Sequence, residues 1–309
     1  KATVGNLNNH IGVPLTLLSF DNETELGIVE MGANHKKEIE FLCQLAKPDY
    51  GYITNFGKAH LEGFGGVKGV IEGKSEMYNY LSENIKLAFI NLDDPIQVEK
   101  SKKMKSYSFG VNKEEADVNI NSVTANPFVE ISFSNLSVKT HLIGLYNANN
   151  INAALTIGKY FGVDDLAIKE ALEGYVPENN RSQLLSKGTN QIILDAYNAN
   201  PSSMAVAITN FLQLDNANKV MILGDMFELG EESQREHQTI VDSLLNSNGV
   251  VCHFIGKEFY SNQIHKDHFY FYETFESFSD YLQNTKIENS SILIKGSRGM
   301  ALERTLGFL

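Results

Sequence analysis

Short apolar runs alternate with segments of helical spacing along the first third of the chain. The apolar runs Leu26–Glu30, Tyr50–Thr54 and Leu87–Asn91 have the length and composition of buried strands. Apolar residues recur at helical spacing over Lys36–Ala46, and Ser75–Glu83 forms a second helical segment. This alternation predicts a mainly parallel, doubly wound α/β sheet.

The pattern changes between residues 106 and 142, where β-like segments follow one another without a helix. These segments are Val118–Val123, Val129–Phe133 and Val138–Leu142. Since antiparallel strands need only short connections, we predict a small antiparallel meander attached to the edge of the first domain.

Two helices and a linker follow the meander. The helices are predicted over Asn149–Phe161 and Asp164–Leu172, with Asp164 as the N-cap of the second. The segment Gly174–Arg181 contains a proline and polar residues without periodicity, which is typical of a linker. We therefore divide the chain into domains at residues 1–177 and 178–309.

The second half repeats the alternation of strands and helices. The predicted strands are Gln191–Leu194, Val220–Leu223, Val250–Ile255 and Ser291–Ile294. The predicted helices are Pro201–Leu214, which Asn200 caps, Ser233–Asn246, Phe275–Asn284 and Arg298–Leu306. This pattern predicts a smaller α/β domain.

Composition and charge narrow the class of protein. The 309 residues carry a net charge of −12, which argues against a nucleic-acid partner. Apolar runs of membrane-spanning length and a signal peptide are both absent from the sequence, so we expect a cytoplasmic protein without membrane insertion. The two cysteines, Cys43 and Cys252, share no metal-binding spacing and are expected to be buried thiols. The chain begins with Lys1 in what resembles the middle of a domain, so we expect a missing segment upstream.

The candidate chemistry centres on the glycine-rich stretch Thr54–Lys74, which follows a predicted strand and contains His60. A loop of this kind is typical of a phosphate or metal site, although an ordinary surface loop has a similar composition. Glu30 ends another predicted strand, where its carboxylate could bind Mg²⁺. The segment Gly69–Ser75 resembles a P-loop but is one residue too short. Two roles for Lys74 stay open: an ammonium on a phosphate, or a carbamylated lysine that supplies an oxygen ligand.

Polar residues in other segments of the chain suggest a nucleotide-binding site. Asn147 and Asn150 precede or begin a helix, where an amide can cap the helix or bind an adenine edge. Arg181 could reach a phosphate, and Asp195 ends a strand of the second domain. A GxGxxG motif after a strand, a GxSxG motif and a plausible Cys/His pair are all absent, which argues against a dinucleotide-dependent oxidoreductase and against covalent catalysis.

Several stretches of the chain form a recognisable set: GNLNNHIGVPLTLL (5–18), EMGANH (30–35), TNFGKAHLEGFGG (54–66), KSEMY (74–78), GLYNANNINAA (144–154), DAYNANPSSM (195–204), LGDMFELG (223–230) and KGSRGM (295–300). Together they resemble the Mur ligases, the ATP-dependent amide ligases of cytoplasmic peptidoglycan synthesis. EMG and AHL are shared across that superfamily, whereas YNANPSSM and LGDMFELG are typical of the branch that adds D-alanyl-D-alanine.

The resemblance implies a central ATPase domain and a C-terminal Rossmann-like domain, with the family's P-loop upstream of Lys1. It implies ATP and Mg²⁺ as cofactors, and ligation of D-alanyl-D-alanine to UDP-N-acetylmuramoyl-tripeptide through an acyl phosphate. Without the P-loop, we expect little or no ligase activity from these residues alone. Tyr146 stands where family members commonly have histidine.

The resemblance also implies roles for single residues. Glu30, His60 and Lys74 correspond to the catalytic metal site, with Lys74 at the position of a carbamylated lysine. Asn147, Asn150, Arg181 and Asp195 correspond to nucleotide-binding residues. Asn198, Asn200, Lys295, Ser297 and Arg298 correspond to the dipeptide side of the cleft. Alternatives are another Mur or folylpolyglutamate-type ligase, a metal-dependent hydrolase that uses His60 and carbamylated Lys74, and a fragment that only binds ligands weakly.

Overall fold

The computed structural model describes residues 1–58, 60–177, 180–215 and 218–309. The chain forms two compact units that are not contiguous in sequence. One unit comprises residues 1–122 and 149–168, and the other comprises residues 123–148 and 169–309. The domain boundary between residues 177 and 178 stays a prediction, and Glu178 and Asn179 of the predicted linker lie outside the described residues.

Strands and helices alternate through most of the chain. The strands are β1 (Tyr50–Tyr52), β2 (Leu87–Asn91), β3 (Lys105–Val111), β4 (Val118–Ala125), β5 (Phe128–Phe133), β6 (Leu136–Ile143), β7 (Gln183–Lys187), β8 (Asn190–Asp195), β9 (Lys219–Gly224), β10 (Val250–Ile255), β11 (Phe269–Tyr272) and β12 (Ser291–Lys295). The helices are α1 (Gly12–Leu18), α2 (Glu38–Ala46), α3 (Leu61–Phe64), α4 (Val67–Glu83), α5 (Pro95–Ser101), α6 (Ala148–Tyr160), α7 (Asp165–Gly174), α8 (Pro201–Leu212), α9 (Ser233–Ser243), α10 (Lys257–Ser261) and α11 (Phe275–Asn284).

The first sheet is parallel from β1 to β4, in the order of the sequence. All residues of β2 are buried, as expected for a strand that is covered on both faces. Helix α4 contributes Tyr78 and Leu81 to a core cluster that also contains Ile53 and Ile90. The prediction of a parallel, helix-covered sheet is therefore confirmed.

The prediction of a buried strand over Leu26–Glu30 is wrong. Only Ile28 makes a β-bridge, parallel to Ala2, and Ile28 is 59% exposed. Two backbone hydrogen bonds hold this bridge, from Thr3 N–H to Ile28 O and from Ile28 N–H to Lys1 O. Among the described residues, this apolar run forms a bridge of one residue pair and no extended ladder. Its side chains are therefore not buried by a neighbouring strand.

The predicted antiparallel meander holds for β5 and β6, which form an antiparallel hairpin. Strand β4 is the neighbour of β5 in the same sheet, and it also pairs in parallel with β3, with Phe109 opposite Val118. Neither β3 nor the preceding helix α5 was predicted from the sequence. These two elements complete a β–α–β unit with β2, which accounts for the parallel pairing of β2 and β3.

The second sheet has the order β11-β10-β9-β12-β8-β7. All neighbouring strands are parallel except β7, which is antiparallel to β8. From β9 the chain builds the sheet towards β11 and then returns to the other side of β9 to form β12. Such a reversal opens a crevice at the carboxyl ends of the strands, where α/β proteins bind ligands.

The last predicted helix, Arg298–Leu306, is wrong. The structure forms two short 3₁₀ turns, Arg298–Met300 and Leu302–Gly307. Ala301 separates them with a left-handed backbone, at φ 48°. A residue in this conformation breaks the run of helical hydrogen bonds, which the apolar spacing alone does not reveal.

Cys43 and Cys252 are free and buried, as predicted. Burial raises the pKa of both thiols to about 12, so they stay protonated at neutral pH. In the part of the chain that the structure describes, every helix is too short or too polar to cross a membrane.

Candidate functional site

Much of the glycine-rich stretch Thr54–Lys74 is helical, because it contains α3 and the first part of α4. Two glycines allow α4 to pack closely on Phe64. A Cβ atom on Gly69 would lie 1.8 Å from the Phe64 carbonyl oxygen, and one on Gly73 would lie 2.4 Å from the Phe64 ring. These glycines therefore serve helix packing, and the prediction of a loop is wrong for residues 67–74.

Lys74 lies on α4 and points towards the loop that follows β1. Its Nζ donates a hydrogen bond of 2.7 Å to the Asn55 carbonyl oxygen and lies 3.4 Å from Asn55 Oδ1. Burial lowers the pKa of Lys74. A lowered pKa favours the neutral amine, which is the form that reacts with carbon dioxide to give a carbamate. The surroundings of Lys74 therefore fit carbamylation.

Glu30 and His60 occupy two different loops of the same unit. Glu30 is exposed, and Asn8 Nδ2 donates a hydrogen bond of 2.9 Å to its Oε1. The Glu30 N–H donates to Thr3 Oγ1 at 2.9 Å, which fixes the backbone at this point. His60 precedes α3 with a left-handed backbone at φ 53°, and its neighbour Ala59 lies outside the described residues.

The predicted magnesium site depends on the state of Lys74. Among the described residues, no three His, Cys, Asp or Glu side chains come together in a way that could hold a metal ion. Glu30 and His60 would need a further anionic oxygen, since Mg²⁺ is bound mainly by oxygen ligands. An ammonium repels a cation, whereas a carbamate on Lys74 supplies oxygen. The donor set thus fits a divalent cation only when Lys74 is modified.

The second unit places Asp195 and Lys295 side by side at the carboxyl ends of β8 and β12. Lys295 Nζ donates to Asp195 Oδ2 at 2.6 Å and to the Asn198 carbonyl oxygen at 3.2 Å. The Ser182 N–H donates to Asp195 Oδ1 at 3.1 Å. Lys295, at 2% exposure, is almost fully buried, so the Asp195 carboxylate compensates for its charge.

Ser297 connects three loops at this edge of the sheet. Its hydroxyl accepts a hydrogen bond of 2.9 Å from the Phe227 N–H and lies 3.4 Å from the Ala199 carbonyl oxygen, to which it donates. Its N–H donates to the Asp225 carbonyl oxygen at 3.1 Å. Ser297 is 3% exposed, so its present role is to hold these loops together.

The loop after β9 is fixed by Asp225 and His237, neither of which the sequence analysis selected. The Asp225 carboxylate accepts two backbone N–H groups at the start of α10, from Glu258 and Phe259, and burial raises its pKa. His237 Nε2 accepts the Met226 N–H at 2.9 Å, so its proton is assigned to Nδ1, which faces a carbonyl oxygen. The only sequence signal for this network was the stretch LGDMFELG.

The other predicted dipeptide residues have separate environments. Asn200 caps α8: its side chain accepts the Ser203 N–H at 2.9 Å, and its own N–H donates to Ser203 Oγ at 3.1 Å. Asn198 is exposed, and its Oδ1 accepts a hydrogen bond of 2.8 Å from the Ala199 N–H. Arg298 is exposed, with Nη1 3.4 Å from Glu303 Oε1.

The predicted nucleotide residues are likewise spread over several elements. Asn147 is buried and donates to the Ile143 carbonyl oxygen at 2.8 Å, so its amide stabilises its own turn. Asn150 is exposed in the first turn of α6. The Arg181 guanidinium stacks over the Tyr197 ring, 4.0 Å from the ring centroid.

A cavity of about 640 Å³ opens at the carboxyl ends of β9, β10 and β11. Aromatic, acidic and basic side chains line it, among them Phe227, Glu228, Lys257, Glu273, Phe275 and Arg304. None of the predicted dipeptide residues is among its lining residues. The sequence did not reveal this cavity, because four segments that are far apart in the chain form its wall.

The chain matches known protein families over most of its length. Residues 1–158 match the family model of the Mur ligase middle domain, and residues 180–298 match that of the Mur ligase glutamate ligase domain. The UDP-N-acetylmuramoyl-tripeptide–D-alanyl-D-alanine ligase of Bacillus subtilis is 32% identical over 323 residues, which cover 97% of this chain and 68% of that protein.

Two solved structures are similar in fold. MurF from Acinetobacter baumannii superposes with a TM-score of 0.87 at 29% identity and covers 99% of this chain and 69% of its own. MurF from Thermotoga maritima, in complex with ADP, superposes with a TM-score of 0.84 at 25% identity and covers 100% of this chain and 72% of its own.

Proposed function

The chain belongs to the Mur ligase family, and on that premise we propose that it forms the ATPase and acceptor-binding parts of a MurF-type ligase. The names of its relatives give the reaction, which joins D-alanyl-D-alanine to UDP-N-acetylmuramoyl-tripeptide. We place this reaction in the cytoplasm, as a step of peptidoglycan precursor synthesis. Its loss would then impair cell shape and division.

The convergence of three sequence stretches at one sheet edge carries this proposal. Ser297 belongs to KGSRGM, and it contacts Phe227 of LGDMFELG and Ala199 of DAYNANPSSM. These stretches are separated in sequence, yet backbone hydrogen bonds to one buried hydroxyl bring them together. The second and third stretches distinguish the MurF-like branch, so the features of that branch meet where α/β domains bind ligands.

The proposed reaction has two steps. The terminal carboxylate of the tripeptide attacks the γ-phosphorus of ATP, and ADP leaves. The amine nitrogen of D-alanyl-D-alanine then attacks the acyl carbon, loses a proton, and the tetrahedral intermediate expels phosphate. The phosphate carries away one oxygen of the former carboxylate. The protein's tasks are to align the reactants and to stabilise the developing negative charge.

Magnesium, when bound, would neutralise phosphate oxygens during this reaction. We propose that Glu30, His60 and a carbamate on Lys74 hold it. Two observations support this assignment: burial lowers the pKa of Lys74, and Asn8 orients the Glu30 carboxylate.

The nucleotide would be contacted by Asn147, Asn150, Arg181 and Asp195. The Arg181 Cζ atom lies over the Tyr197 ring, 4.0 Å from its centroid, which places the guanidinium group beside the ring. Its N–H groups would donate to a phosphate.

The residues assigned to the dipeptide side of the cleft are of two kinds. Asn200, Lys295 and Ser297 are engaged in a helix cap or in the buried network, so we propose that they position the loops. Asn198 and Arg298 are exposed, and we propose that they contact the dipeptide. Arg298 would provide the positive charge for its carboxylate.

An amine-substrate screen tests the proposed function. The chain is joined to the part of the Bacillus subtilis relative that it does not match, and this fusion is called the completed protein. Phosphate release is measured with ATP, the UDP-linked tripeptide and one amine at a time: D-alanyl-D-alanine, L-alanine, D-glutamate or diaminopimelate. We expect release with D-alanyl-D-alanine only. The 309-residue chain alone is assayed in parallel.

The same assay separates the alternatives. Another Mur or folylpolyglutamate-type ligase would prefer a single amino acid. A metal-dependent hydrolase that uses His60 and Lys74 would cleave its substrate without ATP. Either outcome would overturn the proposed function.

A further inference from the structure

Glu76 makes an unusual cap on a helix other than its own. It lies on α4 and is 8% exposed. Its Oε1 accepts the Lys37 N–H at 2.7 Å, and its Oε2 accepts the Glu40 N–H at 3.0 Å. Lys37 is the N-cap residue of α2, and Glu40 is the third residue of that helix. One carboxylate from α4 thus satisfies the two N–H groups that a capping box satisfies with two local side chains.

The start of helix α2 depends on the Glu76 carboxylate, because its own N-cap residue does not provide a side-chain cap. The Lys37 side chain makes no capping hydrogen bond, and its backbone is left-handed at φ 74°. A buried carboxylate at this point also interacts favourably with the positive end of the helix dipole. The position of the α2 start is therefore set by α4 and not by the local sequence.

The segment before α2 carries Glu30 and is held from two further sides. The Glu38 carboxylate accepts the Asn34 and His35 N–H groups at 2.7 and 3.0 Å. On the other side, Gly63 approaches so closely that a Cβ atom there would lie 2.2 Å from the Asn34 carbonyl oxygen. Residues 30–37 therefore have a defined position relative to α3 and α4.

Lys74 and Glu76 act on different loops from one rigid helix. Each residue of an α-helix is rotated by roughly 100° about the helix axis from the one before it. Lys74 and Glu76 are two residues apart, so their side chains project from nearly opposite sides of α4. Lys74 contacts the Asn55 carbonyl oxygen in the loop after β1. Glu76 contacts the start of α2, which follows the Glu30 segment. Helix α4 thus links the two loops that carry the candidate metal ligands.

We propose that Glu76 is a positioning residue for the candidate metal site: it holds the segment that bears Glu30 in a fixed relation to Lys74. This inference rests on the proposed function, because the site it serves is the proposed magnesium site. Glu76 itself makes no contact with the metal in this account.

The test uses three variants of the 309-residue chain. Glu76→Gln keeps the shape of the side chain but turns an NH₂ group towards one of the two backbone N–H groups. Gly63→Ala displaces the same segment through direct overlap with the Asn34 carbonyl oxygen. Glu83→Gln is the matched control, since Glu83 is the exposed last residue of α4 and lies roughly two helical turns beyond Glu76.

Two quantities are measured for each variant. Hydrogen–deuterium exchange, followed by mass spectrometry, reports the protection of the backbone amides of residues 31–40. Binding of Mn²⁺ in the presence of ADP, followed by electron paramagnetic resonance, reports the metal site. In Glu76→Gln and Gly63→Ala we expect exchange of these amides to be about ten-fold faster and the Mn²⁺ affinity to be about ten-fold weaker. The Glu83→Gln control should match the wild-type chain in both.

Each of the other possible results would contradict one specific part of the proposal. Unchanged exchange at residues 31–40 in Glu76→Gln would show that Glu76 does not hold the segment. Faster local exchange with unchanged Mn²⁺ affinity would make Glu76 a structural cap only, and would overturn the inference while leaving the metal site in place. A wild-type chain that binds no Mn²⁺ would overturn the proposed metal site itself, whatever the exchange of the Glu76 variant.

Discussion

Lys295 Nζ lies 2.6 Å from Asp195 Oδ2, and the two side chains are only 2% and 14% exposed. The pair joins the carboxyl ends of β8 and β12, and Lys295 also donates to the Asn198 carbonyl oxygen in the loop after β8. Removing one charge from a buried pair leaves the other uncompensated, which costs more than the pair itself contributes. This relationship gives the first prediction.

Lys295→Met should lower the free energy of unfolding by about 3 kcal/mol, because it leaves the Asp195 carboxylate without its cation. The double variant Lys295→Met/Asp195→Asn should recover part of this loss. Urea denaturation followed by circular dichroism measures both. A single variant that unfolds like the wild-type chain would show that water already compensates for the charge of Asp195.

Gly69→Ala should destabilise the first unit by roughly 1–3 kcal/mol, since its Cβ atom would overlap the Phe64 carbonyl oxygen and α4 would have to shift. The measurement is the midpoint of thermal unfolding. Gly174→Ala is the matched control, because Gly174 is also helical and a Cβ atom there meets nothing within 4 Å. Equal midpoints for the two variants would contradict the packing role of Gly69.

Stability should fall as the pH is lowered from about 6.5 towards 4, partly because of His253. Burial lowers the pKa of His253 to about 4, from 6.5 in an exposed chain. The folded state then binds fewer protons than the unfolded state, so the contribution of His253 is complete above pH 6.5 and decreases below it. The decrease is up to about 1.4 kcal/mol per pH unit.

The control for this prediction is His253→Phe, which suits the aromatic surroundings of the site, where Tyr270 stacks on the imidazole ring at 5.3 Å between centroids. All other titrating groups are the same in both proteins. The difference between their pH profiles of unfolding free energy therefore isolates His253. Parallel profiles would show that this histidine protonates as easily in the folded chain as in the unfolded one.

Much of the fold followed from periodicity. Strands β2 and β10 and helix α11 have the predicted bounds, since their apolar patterns reflect burial within a single element. The errors arose where a neighbour decides the structure. Leu26–Glu30 has the composition of a strand but pairs only at Ile28, and Ala301 interrupts a segment with helical spacing.

The candidate site was less accessible to sequence reasoning. The family resemblance identified residues such as Lys74 and Asp195, but it did not predict which atoms they contact in the structure. Glu76 and His237 act through backbone groups that are distant in sequence, and a hydrogen bond to a backbone group leaves no residue-type signal. A glycine-rich sequence is typical of a flexible loop, but Gly69 and Gly73 instead allow α4 to pack closely on Phe64.

Lys74→Ala should inactivate the completed protein, and the type of rescue reports the native state of Lys74. A carbamate contributes an anion, so acetate should restore part of the rate by occupying the vacated space. Methylamine should not, because it would restore a cation beside the proposed metal. Initial rates of phosphate release, measured with each additive, decide between the two. Rescue by methylamine alone would rule out the carbamate.

Ligation through an acyl phosphate determines the fate of one carboxylate oxygen, which an isotope label can follow. The UDP-linked tripeptide is labelled with ¹⁸O in its terminal carboxylate, and the completed protein is supplied with ATP and D-alanyl-D-alanine. Mass spectrometry then measures the isotope content of the released phosphate. We expect one ¹⁸O atom in each phosphate from fully labelled carboxylate, since the leaving phosphate keeps the bridging oxygen. Amide formation with unlabelled phosphate would rule out an acyl phosphate intermediate.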